Sequence, residues 1–377
     1  MSRPTLTIPK HFRSLKDPRV AGRRKHLLSD LIVITICGVI CGCNDWQQIA
    51  TFARSRHDWL KKFLRLPNGI PAHDTFERVF DRIDPAAFQA GFRNWMQALH
   101  EALGLSQIAI DGKALRGSGT GGRPILHLVS AWATANSLSL GQVAVAGTSN
   151  EITAIPRLLD LLDVNGALVS IDAMGCQKEI AAKIVERGGD YVLTVKDNQP
   201  SLLSAIQDCF QQAIETDFAG LKHDEFETHE RGHGREETRS YQIITDPPLP
   251  MTAEWCNLNV IGVCYHECTH DGKTTEQLRY FIGSRKARAK VYGTALRHHW
   301  GIENTLHWQL DVCFDEDKNR VSRRHGAENL ALVRRLALSL LKQHPSEQSI
   351  ACKRLRAALD PDFLLEVAAL AGKQREI

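Results

Sequence analysis

The stretch "GALVSIDAMGCQKEIAAKIVERGGDYVLTVK", residues 166–196, decides the fold. An apolar run from Ala167 to Ile171 ends on a single acid, Asp172. Beyond Gly175 the period changes, because Ile180, Ala181 and Ile184 recur three and four residues apart, as on one face of a helix. A second apolar run, Tyr191 to Val195, follows the break at Gly188 and Gly189. The pattern is strand, helix, strand.

Upstream, "SQIAIDGKAL" (106–115), "ILHLVSAWATA" (125–135) and "SLGQVAVAGT" (139–148) are short runs rich in Ile, Val, Leu and Ala, parted by Gly-rich and polar turns. They read as three successive strands. The segment "EITAIPRLLDLLDV" (151–164) reads as a helix that leads into the opening stretch. Three strands followed by alternating helix and strand predict a mixed α/β sheet over residues 101–200. Residues 1–100 have helical spacing throughout, and "HDTFERVFDRI" (73–83) looks like a capped helix start, with Asp74 or Thr75 as the cap. Residues 201–285 contain the polar, partly irregular "HDEFETHERGHGREETRSYQIIT" and the strand-like "LNVIGVCYHECTH" and "QLRYFIGSR", so a β-rich insertion is expected there. Residues 286–377 are expected to be helical.

Composition limits what the chain can be. It has 377 residues, 43% hydrophobic and 24% charged, enough for a sizeable core in two or three domains. Ten cysteines have no repeating spacing and no signal peptide precedes them, so a reducing cytoplasm is expected. The longest apolar run, Leu31 to Cys43, is short of the roughly 18 residues a bilayer span needs and reads as a buried helix. No membrane partner is expected.

The net charge of +4 hides an asymmetry. Residues 1–65 carry 13 Lys/Arg against 4 Asp/Glu, residues 66–284 carry 17 against 28, and residues 285–356 carry 15 against 7. Two basic ends flank an acidic middle, a distribution suited to a polyanion held by the ends and cations held by the middle. A helical DNA-binding domain over residues 1–100, able to bind DNA as a fragment, follows as an expectation.

Asp111 and Asp172 each follow an apolar-x-Ile sequence and are expected at carboxyl ends of strands, where open α/β sheets place their ligands. Either acid alone could be a turn residue or a helix cap. Acids gathered at one sheet edge repel unless cations lie between them, and hard oxygen donors select Mg²⁺ or Mn²⁺. A third carboxylate is then wanted. Glu303 shares a helical face with His299, His307 and Leu310, while Asp311, Asp315, Glu316 and Asp317 compete with it, and spacing does not choose among them.

The segments "IDGKALRGS", "SIDAMGCQ", "VLTVKDNQPSL", "HHWGIENTLHWQLDVCFDED" and "AENLALVRR" together resemble the DDE transposases of bacterial insertion sequences, most closely the H-repeat-associated, ISAs-type branch. The N-terminal "RRKHLLSDLIVITICGVICG" and "GIPAHDTFERVF" extend the resemblance over nearly the whole chain. It implies a ribonuclease H-like catalytic domain with Asp111, Asp172 and Glu303 as its metal-binding triad, two Mg²⁺ or Mn²⁺ ions, and cleavage and strand transfer on double-stranded DNA at element ends and target. A homodimer on DNA and a nucleoid-associated place in a bacterial cytoplasm are expected with it. A nuclease or resolvase on the same fold, or a DNA-binding relative without catalysis, is the alternative.

Related transposases carry a tyrosine and an arginine before this glutamate and a lysine seven residues after it. Leu296, His299 and Leu310 stand there instead. Arg297, His299 and His307 are the local candidates for phosphate contact, and imidazoles in that role should bind more strongly as pH falls through about 6.5. Trp300 is placed either to stack on an unpaired base or, the more ordinary role, to pack in the core. Further DNA contacts are expected from Arg23, Arg24 and Lys25, from Arg320, Arg323 and Arg324, and from Lys196, Asn198 and Gln199 after the fifth strand. Two other chemistries are set aside. Cys176 lies in no nucleophile motif, and Cys264, His266, Cys268 and His270 would lie about 6.6 Å apart along one strand face, too spread for one zinc ion.

Overall fold

A computed structural model describes residues 8–369 except 102–105, 123, 146–148 and 233. All nine strands form one sheet in the order β3-β2-β1-β4-β5-β9-β8-β7-β6. They are β1 (Gln107–Leu115), β2 (Leu126–Ala133), β3 (Leu138–Ala144), β4 (Leu168–Ile171), β5 (Asp190–Val195), β6 (Lys222–Gly232), β7 (Arg235–Thr245), β8 (Val260–His270) and β9 (Lys273–Gly283). The first five make the ribonuclease H-like unit, with β1, β2 and β3 antiparallel and β1, β4 and β5 parallel.

The parallel strands are buried along nearly their whole length, which explains their continuous apolar runs. Helices Glu151–Leu161 and Lys178–Glu186 make the crossovers. Helix Ala289–His299 packs on β1, β4 and β5.

Asp111 does not end its strand. β4 stops pairing at Ile110↔Ile171, but β1 runs on against β2 from Asp111↔Ser130 to Leu115↔Leu126. Asp111 therefore lies where β1 outruns its parallel neighbour, on open sheet edge to one side. Asp172 immediately follows β4, as expected.

The insertion opens with a helix, Pro200–Glu215, that was not anticipated. Its signals were Pro200 in the first turn and the apolar series Leu202, Ile206, Cys209, Phe210 and Ala213. The polar segment read as irregular is in fact two eleven-residue strands, β6 and β7. β6 keeps only alternate residues half-buried, so it has no apolar stripe to reveal it. β8 and β9 close through Asp271-Gly272, both at positive φ, the backbone that a two-residue hairpin requires. The four strands extend the catalytic sheet, with β9 pairing to β5 from Val192↔Gly283 to Val195↔Tyr280.

The N-terminal residues are helical, including Leu28–Ile40, Trp46–Ser55, His73–Phe80 and Pro85–Glu101. The N-cap of helix His73–Phe80 lies two residues before Asp74 and three before Thr75, the expected caps. Ala72 is its N-cap and no side chain caps it, so Asp74 lies in the first turn. Every residue of Leu28–Ile40 from Asp30 on is buried. Its cover is partly N-terminal, from helix Trp46–Ser55, and partly C-terminal: helix Gly326–Gln343 packs along it, Arg354 donates to the Val39 carbonyl at 2.9 Å, and Arg334 donates to the Asn44 carbonyl at 3.1 Å. The N-terminal helices thus share one hydrophobic core with the C-terminal ones, so a fragment of residues 1–100 would expose the part of that core the C-terminal helices cover. No described helix is long and apolar enough to cross a membrane.

Candidate active site

Asp111, Asp172 and Glu303 line one cavity of about 230 Å³ at the carboxyl edge of β4 and β5. Its far wall comes from the insertion, with Arg239, Tyr241, Cys264, His266, Arg279 and Phe281. Lys196, Arg297, His299 and Trp300, all singled out in the sequence, line it too.

Each acid is held differently. Asp111 accepts from the Gly112 N–H at 2.9 Å, and its side chain is 17% exposed. Burial pushes its carboxyl up to about 7; the Gly112 N–H opposes this, while Asp172, Glu151 and Glu303 push the same way. Asp172 caps a short turn, Ala173–Gly175, with Oδ1 accepting from Met174 N–H at 3.1 Å and from Gly175 N–H at 3.4 Å. Its Oδ2 accepts no hydrogen bond among the described residues. Glu303 is exposed, and its carboxylate takes part in no hydrogen bond or ion pair among the described residues.

The acids that competed with Glu303 are all committed. Lys113, 8% exposed, lies 2.6 Å from Asp311 and 3.6 Å from Asp317. Asp315 pairs with Lys318 and accepts from Asn44, and the buried Glu316 takes Arg335 at 2.8 Å. Glu303 alone among them lacks a partner and faces the cavity.

The helix carrying Glu303 is broken. Regular α-helix ends at His299, residues Glu303–His307 form a π-turn in which Thr305 Oγ1 donates to the Gly301 carbonyl, and α-helix resumes over Trp308–Phe314. A π-turn widens the spacing by one residue, so the single face expected for residues 299, 303, 307 and 310 is split. His299 and Glu303 face the cavity, His307 lies behind Asp111 with Nδ1 3.5 Å from Oδ2, and Leu310 is wholly buried.

Burial lowers His307 to about 3, helped by Arg335 and Lys113, and burial lowers His299, which meets Ser170 Oγ through Nδ1 at 3.1 Å. Both directions run against a phosphate contact that strengthens as pH falls through about 6.5.

Trp300 is 44% exposed, which removes the core-packing role, and the Arg279 guanidinium lies 5.5 Å from its ring centroid. Arg297 is bound to Glu230 by two bonds of 3.2 and 2.8 Å. Asn198 and Gln199 donate their amide N–H groups to the Ala173 and Cys176 carbonyls, at 2.7 and 2.9 Å.

The remaining basic groups lie outside the cavity. Arg23, Arg24 and Lys25 are exposed, with Arg24 tied back to the Arg19 and Asp17 carbonyls. Arg320, Arg323 and Arg324 are exposed as well, and the first two line a separate cleft with Asn44 and Gln48 from the N-terminal helices.

One acid near the site escaped the sequence reading. Glu151, in the first turn after β3, is half-buried, and its carboxyl is raised by burial and by Asp172. A Cβ on Gly112 would fall 2.0 Å from its Oε1, so glycine after Asp111 is what lets it lie there. The available signal was its place in the first turn of the helix that follows β3, at the same end of the sheet.

As to metal, the donor chemistry of the three acids fits: they offer hard carboxylate oxygens, and no Lys or Arg is paired with any of them among the described residues. Among the described residues, however, no three His, Cys, Asp or Glu side chains are grouped closely enough to hold one ion as they stand.

Residues 103–340 match the family model described as "Transposase DDE domain", and residues 9–96 match "DDE_Tnp_1-associated". The putative transposase YncI of Escherichia coli O157:H7 is 41% identical over 364 residues, 94% of this chain and 92% of that protein. The H repeat-associated putative transposase YhhI of Escherichia coli K12 is 38% identical over 375 residues, 97% of this chain and 98% of that protein. A piggyBac transposase synaptic complex with hairpin DNA aligns at 8% identity with a TM-score of 0.40, over 97% of this chain and 76% of that one.

Proposed function

Since the chain belongs to the DDE transposases, in their H-repeat-associated branch, we propose that it cleaves DNA at the ends of an insertion sequence and transfers the freed strands to a target. Asp111, Asp172 and Glu303 are the metal-binding carboxylates in this reading. The observation that carries it is three carboxylates lining one cavity, none of them paired with a Lys or Arg among the described residues, while every neighbouring acid on the glutamate segment has its partner.

When bound there, two divalent ions supply the activation of an attacking water or 3′-hydroxyl and neutralise the charge on the leaving oxygen. The chain's own groups do the rest. Lys196 and Arg279 on the cavity wall attract phosphate, and the exposed face of Trp300 offers a surface for an unpaired base. His299, neutral and fixed by Ser170, is a hydrogen-bonding partner rather than a permanent cation. The basic clusters at residues 23–25 and 320–324 are the proposed backbone contacts along flanking duplex, and a homodimer is the proposed assembly on it.

The test incubates purified protein with Mg²⁺ and DNA carrying the element's ends, scoring cut ends and their joining to a second DNA. Products cut at the ends and joined support the reading. Cutting without joining would make the chain a nuclease or resolvase, and end-specific binding without cutting an inactive relative.

A further inference from the structure

Asp172 opens a short turn whose Ala173, Gly175 and Cys176 are buried but whose crown is open. β4 has only four residues and ends at Ile171, and Met174 at the crown of the turn is 46% exposed. The turn's backbone bonds are local, from Gly175 N–H to the Asp172 carbonyl at 3.2 Å and from Cys176 N–H to the Ala173 carbonyl at 3.2 Å. Because Oδ1 of Asp172 caps the Met174 and Gly175 N–H groups, the orientation of the turn sets where Oδ2 points. Whatever fixes the turn aims the carboxylate.

Two side-chain amides from the neighbouring strand end do so. Asn198 Nδ2 donates to the Ala173 carbonyl at 2.7 Å, one residue past the acid, and Gln199 Nε2 donates to the Cys176 carbonyl at 2.9 Å, four residues past it. The turn Ala173–Gly175 lies between the two grips. Gln199 is braced in turn, since its Nε2 also reaches Gln177 Oε1 at 3.4 Å and its N–H donates to the Lys196 carbonyl at 2.9 Å. A backbone carbonyl accepts only from a donor, so the carboxamide nitrogens at 198 and 199 are specifically required.

We infer that Asn198 and Gln199 are positioning residues that clamp the Asp172 turn from the adjacent strand end, rather than contacts to DNA. The inference rests on the reading of Asp172 as a metal-binding carboxylate. It assigns these two amides the part that outer partners play around metal-binding side chains, where loss of such a partner weakens affinity by about 10- to 100-fold.

The test compares wild type, Asn198→Ala, Gln199→Ala and Asp172→Asn, full length and without DNA. Mn²⁺ binding is followed by the electron paramagnetic resonance signal of the free ion, and backbone protection over residues 172–177 by hydrogen exchange. Both alanine variants should bind Mn²⁺ about 10-fold or more weakly, exchange faster over the turn, and keep wild-type affinity for end DNA in EDTA. Asn198→Asp, which sets a carboxylate against the Ala173 carbonyl, should be no better than alanine. Unchanged Mn²⁺ affinity with weakened DNA binding would overturn the clamp in favour of direct contact. If Asp172→Asn itself leaves Mn²⁺ binding unchanged, the metal reading has failed; the clamp then stands or falls on the turn's protection, which both alanine variants must lose.

Discussion

Removing one of the proposed metal-binding carboxylates should make the metal-free protein more stable. Asp111 is the case to work through, because burial and three neighbouring acids hold its carboxyl near 7 against an ordinary 3.8. That difference corresponds to about 4 kcal/mol of destabilisation of the charged form. The folded value lies above the unfolded one, so the native state keeps its proton longer. The penalty is absent below about 3.8, grows as pH rises, and is complete above 7. Linkage places it at about 4 kcal/mol at pH 8 and below about 2 kcal/mol at pH 5. Asp111→Asn carries no charge at either pH and keeps nearly the same shape. Urea unfolding in EDTA should therefore find the variant more stable than wild type by up to about 4 kcal/mol at pH 8, with the gain at least halved at pH 5. A variant no more stable than wild type at pH 8, or equally stabilised at both values, would refute the electrostatic account of the site.

Three other outcomes are expected. A fragment of residues 1–100 should show no cooperative urea transition, because the helix Leu28–Ile40 loses its cover from Gly326–Gln343; a sharp transition would contradict the shared core. Glu316→Ala should cost about 3–5 kcal/mol by leaving Arg335 charged and unpaired where both partners are fully buried, and a loss under about 1 kcal/mol in urea unfolding would show that Arg335 finds another partner. Binding of end DNA by wild type and His307→Ala should change in parallel between pH 8 and pH 6, since His307 does not charge in that range; a wild-type gain at pH 6 that the variant lacks would show the imidazole titrating.

The catalytic half of the fold was legible because its strands are buried on both faces and alternate with amphipathic helices. Residues 166–196 alone held a strand, a helix and a strand in their final order. The strands β6 and β7 were not legible, since a mostly exposed ribbon has no apolar stripe to reveal it. For the candidate site, the sequence brought Asp111, Asp172 and Glu303 forward, and the structure gathers them at one cavity. What it could not display was register. A π-turn of five residues divides the face on which Glu303, His307 and Leu310 were grouped, and no local pattern announces that turn. Nor can spacing reveal burial, which makes His307 neutral, or partners far along the chain, which turn Asn198 and Gln199 from surface amides into bonds on the Asp172 turn.

The central claim is that Asp111, Asp172 and Glu303, and not the acids beside them, do the chemistry. The most direct measurement is cleavage of end DNA in Mg²⁺ by Asp111→Asn, Asp172→Asn and Glu303→Gln, with Asp315→Asn as the neighbouring control and DNA binding in EDTA confirming that each protein is intact. The account predicts that the three variants bind the ends but do not cut them, while Asp315→Asn cuts like wild type. Cleavage near the wild-type rate by any of the three would contradict it.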